Sequence, residues 1–145
     1  MTAFRSNPVV LAVIATLETA NLIVGDGEAP RDREVGWQGK AAASNFVGYC
    51  VVHQFSRGFD GSIDDPYDDG MPVVSINSFG ANAKQARGIG DKAHSALLDT
   101  PITITGRSVM WVEPIADDAS TDALHDVEPP MWQDVQRFRI ATTTT

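Results

Sequence analysis

Residues 72–98 read PVVSINSFGANAKQARGIGDKAHSALL, and this stretch joins one strand to one helix with the signals that separate them. Alternation of apolar and polar residues over 72–80 predicts a strand. One face of this strand would hold Val74, Ile76 and Ser78, and the other would hold Val73, Ser75, Asn77 and Phe79. Asn82, followed three residues later by Gln85, is typical of a capping box in which Asn replaces Ser or Thr, so we expect a helix to begin there.

The face of this helix that should be buried consists of small or apolar residues. These are Ala86, Ile89, Gly90, Ala93 and Leu97. Small side chains would allow this helix to lie close to a sheet. Asp99-Thr100-Pro101 predicts the end of the helix, because the residue before a proline disfavours the helical conformation.

An N-terminal helix is predicted from Asn7-Pro8, where Asn7 can cap the first turn and Pro8 occupies the first helical position. Apolar residues then recur at helical spacing as far as Val24, and Gly25-Asp26-Gly27 is expected to end the helix.

The remaining chain contains three β-prone regions. Phe46–Phe55 predicts a strand, and Ile102–Ile104 with Val109–Val112 predicts either a hairpin or one interrupted strand. Met131–Thr142 predicts a long last strand with a frayed tail at 142–145. Its two faces alternate, and Arg137 and Arg139 share one of them with Met131, Gln133 and Val135.

Together these elements predict an α+β fold, with an antiparallel or mixed sheet of about four strands and two helices packed on one face. The length of 145 residues suits a single domain, 1–145. Residues 25–45 and 113–130 are interpreted as long loops or arms. Trp37 in the first arm is either an interface anchor or a side chain folded back onto the core.

The net charge of −8 is concentrated in two segments. Residues 56–72 hold five aspartates and one arginine, and residues 113–134 hold seven acids and no base. The rest of the chain has ten basic and seven acidic residues, a net charge of +3. This balance argues against a protein that grips nucleic acid, since such binding neutralises phosphates with basic residues.

Clustered carboxylates raise the alternative of a small metal-dependent hydrolase. Asp60, Asp64, Asp65, Asp68 and Asp69 lie close in sequence, but their spacing does not match an EF-hand. The glycines and Pro66 among them indicate a turn-rich loop instead. Tight Ca²⁺ or Mg²⁺ binding that raises thermal stability would support the hydrolase, and a flat calorimetric titration would remove it.

Other catalytic patterns are missing from the sequence. No zinc motif, nucleophile elbow or phosphate-binding loop is present, and the lone Cys50 in an apolar run suits a buried thiol. Lys84, Arg87 and Lys92 are interpreted as a solvated helix face. We therefore expect no enzyme activity, no cofactor and no bound metal.

Several strings in the chain resemble the tail-terminator, or tail-completion, proteins of siphophages that infect actinobacteria. They are PVVLAVIATLE near the N-terminus, VVHQFSRGFDGSIDDPYDD, the stretch 72–98, and the ending RFRIATTTT. The resemblance runs through most of the chain and depends on the order of these strings, while residues 25–45 and the acidic spacing match nothing in that family.

The resemblance implies a homo-oligomeric ring, expected to be a hexamer, in the virion at the head–tail interface. Such a ring ends polymerisation of the tail-tube protein and offers a surface to the head-completion or connector protein, while DNA passes through without specific binding. A neighbouring head–tail joining or neck protein is the alternative. Contacts with other subunits, or positions lining the lumen of the ring, are expected at Trp37, at Asp60, Asp64, Asp65, Asp68 and Asp69, and at Arg137 and Arg139.

Overall fold

The computed structural model describes residues 7–31, 33–37, 46–56, 70–115, 120–124 and 130–144. Its helices are α1 (Asn7–Thr19) and α2 (Ala83–Asp99). Its strands are β1 (Val24–Asp26), β2 (Tyr49–Ser56), β3 (Val73–Gly80), β4 (Arg107–Pro114), β5 (Ser120–Leu124) and β6 (Met131–Thr144). Neither helix is long and apolar enough to cross a membrane.

The six strands form one mixed sheet in the order β1-β2-β3-β6-β4, with β5 also paired to β6. β1 runs parallel to β2, and every other pair is antiparallel. The predicted α+β class is confirmed, but the expected count of about four strands is too low.

The N-terminal helix ends earlier than predicted because Asn21 takes a left-handed conformation, with φ 66°. The Leu22 N–H donates to the Leu17 carbonyl at 3.3 Å, and the Asn21 N–H donates to the Glu18 carbonyl at 2.9 Å. This pair of bonds is a Schellman motif, which satisfies the last helical carbonyls and turns the chain outward. Val24 therefore enters β1, and the expectation that the helix reached Gly25 was wrong.

β6 pairs with three other strands, β3, β4 and β5, and its C-terminal end is not frayed as the sequence suggested. Thr142 is fully buried, and its hydroxyl donates to the Gly70 carbonyl at 3.0 Å. Pairing of β4 with β6 extends to Thr144. Threonine has high strand propensity, and pairing with β4 on one side, together with the bridge from Gly70 to Thr142 on the other, orders Thr142–Thr144.

The acidic region 113–130 is likewise not one continuous loop. Its first residues, Glu113 and Pro114, close β4, and β5 lies within it and pairs with Met131–Val135 of β6. Pairing with a long neighbouring strand here overrides a polar composition that favours loops.

Both helices cover one face of the sheet, as predicted. The main core joins α1 and α2 to β2, β3 and β6 through Val13, Leu17, Val52, Ile76, Leu97, Phe138 and Ile140, among others. The predicted cap of α2 is confirmed: the Asn82 carboxamide oxygen accepts from the Gln85 N–H at 2.8 Å. The Gln85 carboxamide oxygen accepts from the Ala81 N–H, also at 2.8 Å.

A second, smaller cluster lies around Phe46, Tyr49 and Val51. The Tyr49 ring stacks on Phe79 of β3 with centroids 4.8 Å apart. Val35 and Trp37 pack against this cluster from the segment that precedes β2. The helices therefore cover one face of the sheet, and the segment that contains Val35 and Trp37 covers part of the other face.

Cys50 lies inside the main core, and burial raises the pKa of its thiol from an ordinary value of 9.0 to about 11. Its sulfur lies 3.6 Å from the Ser78 hydroxyl, a contact that opposes the rise, while the negative charge of Asp134 adds to it. A raised pKa in the folded state means that the neutral thiol stabilises the fold below about pH 9.

That contribution should be lost as pH rises from about 9 to about 11, by roughly 1.4 kcal/mol per pH unit at most. We expect the unfolding free energy of the wild-type chain to fall more steeply over this window than that of Cys50→Ala. Parallel profiles from chemical denaturation would show that the thiol does not titrate in this way.

Candidate assembly surfaces

β4 forms an outer edge of the sheet, since the described strands leave its second side without a partner strand. A register shift between Val109 and Trp111 marks a β-bulge in this strand. Trp111 pairs with Ala141 of β6 and remains 47% exposed, although Ala141 itself is fully buried. An edge strand with an exposed aromatic side chain is a typical site for contact with another chain.

A groove of about 280 Å³ adjoins this edge, between the C-terminal end of α2 and β4. Apolar side chains dominate its lining: Leu97, Leu98, Pro101, Ile102, Val109, Trp111 and Val112. Leu98 and Trp111 are two of the three large apolar side chains exposed among the described residues, the third being Leu11 on α1. Because Leu98 and Trp111 lie together at the β4 edge, they form a continuous apolar patch and not two isolated exposed side chains.

Neither Trp111 nor Leu98 was predicted from the sequence as a contact residue, although a signal for Trp111 was present. Val109–Val112 reads VMWV, four consecutive apolar residues in a short run. A strand turns successive side chains to opposite faces, so an edge strand of this composition must present apolar groups on both faces. Leu98 gives no comparable signal, because a leucine at the end of an amphipathic helix is ordinary.

Arg137 and Arg139 lie on the face of β6 that is opposite the helices. The Arg139 guanidinium contacts the Glu113 carboxylate of β4 at 2.7 Å, with the two side chains 40% and 46% exposed. An ion pair this exposed contributes little to stability, about 0–1 kcal/mol. Arg137 is half-buried, and its carbonyl accepts from the Ile115 N–H at 2.9 Å. Arg139 thus connects β6 to β4 through its side chain, and Arg137 connects β6 to the residue that follows β4 through its backbone. The role of both arginines in assembly stays a prediction.

Trp37 packs on its own chain, at the edge of Phe46, with ring centroids 5.1 Å apart and planes at 84°. Its indole N–H is buried without a hydrogen-bond partner among the described residues. This position agrees with the alternative in which Trp37 folds back onto the core. Contact with a neighbouring subunit at the same side chain stays a prediction.

The predicted acidic contacts Asp60, Asp64, Asp65, Asp68 and Asp69 lie outside the described residues. Within the described part of the chain, no three His, Cys, Asp or Glu side chains come together in a way that could hold a metal ion.

No protein-family model matches this chain, and no curated protein matches it in sequence. Its fold is similar to that of a chain in a solved structure titled "Virion of native gene transfer agent (GTA) particle". The match has a TM-score of 0.57 at 12% identity and covers 90% of this chain and 84% of that chain. At this identity the likeness concerns the fold.

Proposed function

We propose that this chain is a structural subunit of a phage-like virion, and specifically the subunit of a ring that ends the tail tube. The observation that carries the proposal is the fold shared with a chain of a gene transfer agent virion over nine tenths of this chain. The strings that resemble siphophage tail terminators support the finer assignment.

The arrangement of the described surfaces also suits an assembly subunit. A sheet with an unpaired edge, an exposed Trp111 and an apolar groove beside it offers area for another protein. The net charge of −8 suits a ring through which DNA slides, because a negative surface repels phosphate instead of holding it. In this proposal the ring is a hexamer located in the virion, between tail tube and head connector.

Virions assembled without this protein test the terminator role. We expect overlong tails of variable length, measured by electron microscopy, since nothing would stop polymerisation of the tube. Tails of normal length that lack heads would contradict this role and would identify a head–tail joining protein instead.

Trp111→Thr tests whether the β4 edge contacts the tail tube. Threonine keeps strand propensity and Trp111 is half exposed, so the unfolding free energy should fall by no more than about 1 kcal/mol. Virions carrying the variant should nevertheless show a broadened tail-length distribution. Leu11→Gln is the matched control, because Leu11 is 51% exposed on α1. α1 packs near β1 and β2, which lie at the opposite end of the strand order from β4. Equal tail lengths for Trp111→Thr and wild type would exclude the β4 edge as the tube contact.

A further inference from the structure

The charges on α2 lie in the reverse of the order that the dipole of the helix favours. Its first turn contains no acid and its last turn contains no base. Instead Lys84 lies in the first turn and Asp99 is the last helical residue, and both are exposed. A helix carries partial positive charge at its N-terminus and partial negative charge at its C-terminus, so both placements are unfavourable. A single copy of α2 is thus less stable than it would be with the two charges exchanged.

The charged residues of this exposed face form no ion pair with another described side chain. They are Lys84, Arg87, Asp91, Lys92 and Asp99. Arg87 lies four residues before Asp91, but its Nε donates to the Ala83 carbonyl at 3.4 Å. Because the described part of the chain does not neutralise these charges, they are free to meet opposite charges on another molecule.

Two small residues lie among these charges on the same side of α2. Gly88 and Ser95 are both exposed and are two helical turns apart. A Cβ at Gly88 would have nothing within 4 Å, and the backbone there is not in the left-handed region. Glycine is unfavourable inside a helix relative to alanine, and neither packing nor conformation requires it here. The middle of this face therefore allows a second helix to approach the α2 backbone closely.

The charges at the two ends of this face lie at equal distances from a point between Asp91 and Lys92. If a second α2 packs antiparallel across a two-fold axis at this point, Lys84 lies at the same level as Asp99 of the second copy. Symmetry repeats this pair at the other end of the contact. Near the axis, Asp91 and Lys92 of the two copies meet as two acids and two bases, with no net charge.

The same arrangement removes the conflict with the helix dipole. Lys84 lies beside the negative end of the second helix, and Asp99 lies beside its positive end, so both charges become favourable. Gly88 lies opposite Ser95 of the second copy, and these two small residues permit close packing between the charged positions. The charge order that is unfavourable in one copy is thus stabilising in a pair.

We propose that two copies of this chain associate through α2, packed antiparallel about a two-fold axis between Asp91 and Lys92. Charge complementarity selects a second copy as the partner, because α2 is basic at its start and acidic at its end and therefore matches its own reversed face. A contact of this kind is isologous and joins two copies without closing a ring. It therefore belongs to the free chain and does not depend on the proposed terminator role.

Charge reversal at the two ends of α2 tests this contact in the full-length chain. Lys84→Glu or Asp99→Lys alone places like charges at both ends of the contact, so sedimentation equilibrium should show a dimer at least about tenfold weaker. An equimolar mixture of the two variants should associate more tightly than either variant alone, because opposite charges then meet at both ends. High salt should weaken the wild-type dimer.

Glu34→Lys is the matched control for Asp99→Lys, since it makes the same change of charge on another surface. Glu34 is exposed beside Val35, which packs on the face of the sheet opposite the helices. This variant should dimerise as strongly as the wild type.

The stability of the monomer separates weaker association from damage to the fold. Lys84→Glu and Asp99→Lys should each leave the dilute monomer at least as stable as the wild type in thermal denaturation, since each places its new charge at the favourable end of the dipole. Gly88→Gln leaves all charges in place and keeps helix propensity, yet it should weaken the dimer because it prevents close approach.

A wild-type chain that stays monomeric up to about 1 mM would overturn the proposed contact. So would single variants that associate as strongly as the wild type, or a mixture that associates no more tightly than its two components. The tail-length experiment tests the terminator role separately, so either proposal can fail while the other stands.

Discussion

Phe138→Ala should lower the unfolding free energy of the chain by about 3–5 kcal/mol, the range for removal of a fully buried phenylalanine. Phe138 is 0% exposed and lies on β6, the strand that joins both halves of the sheet. Its ring is 5.8 Å from His94 of α2, so the substitution leaves a cavity directly beneath the helix. Urea denaturation measures the loss as a lower midpoint at unchanged slope.

Phe79→Ala is the matched control for this prediction. Phe79 lies on β3 but on the opposite face, where it is half-buried and stacks on Tyr49. Its removal exposes part of the smaller cluster without opening the main core, so we expect a clearly smaller loss. An equal loss for the two variants would contradict the division of the interior into a main core and a satellite cluster. The loss of about 3–5 kcal/mol expected for Phe138→Ala is large, because the total unfolding free energy of a domain is usually about 5–15 kcal/mol.

The parts of the fold that the sequence predicted well are those with local causes. The strand β3, the cap at Asn82 and the small-residue face of α2 all follow from spacing within one short stretch. These signals agree with one another, and they specify a strand and a helix within one short stretch. In the structure, alternate residues of β3 face that helix, α2.

The errors have long-range causes. β1 has three residues, and its place depends on a parallel partner that lies more than twenty residues later in the chain. β5 is held by β6 through antiparallel pairing, although its own composition is that of a loop. Neither partner can be recognised from the segment itself. The sequence therefore predicts β1 as the end of the first helix and the start of an arm, and β5 as part of the second arm.

The positions of the candidate contact residues also depend on long-range contacts. The position of Trp37 depends on Phe46, which lies across a stretch that gives no periodic signal. The exposure of Trp111 depends on β4 being the outer strand, and that is a property of the whole sheet order. Sequence alone could name aromatic and charged candidates, but strand order decides which of them reach the surface.

Two glycines two residues apart in α2 provide the second large effect that we expect. Gly90 faces the sheet, where a Cβ would overlap the Asp134 carboxylate and come within 2.8 Å of the Gln136 carboxamide nitrogen. These two side chains are joined by a hydrogen bond of 3.1 Å, and Asp134 is only 8% exposed. Gly88 faces outward, where a Cβ would meet nothing.

Gly90→Leu should therefore destabilise the fold by about 1–3 kcal/mol, since overfilling this contact must move α2 or displace a buried carboxylate. Gly88→Leu should instead raise the unfolding free energy by up to about 1 kcal/mol, because helix propensity improves without a steric cost. Thermal and urea denaturation of the two variants at a concentration that keeps both monomeric measure the contrast. If Gly90→Leu is as stable as Gly88→Leu, α2 does not lie as close to β6 as the small residues of its inner face require.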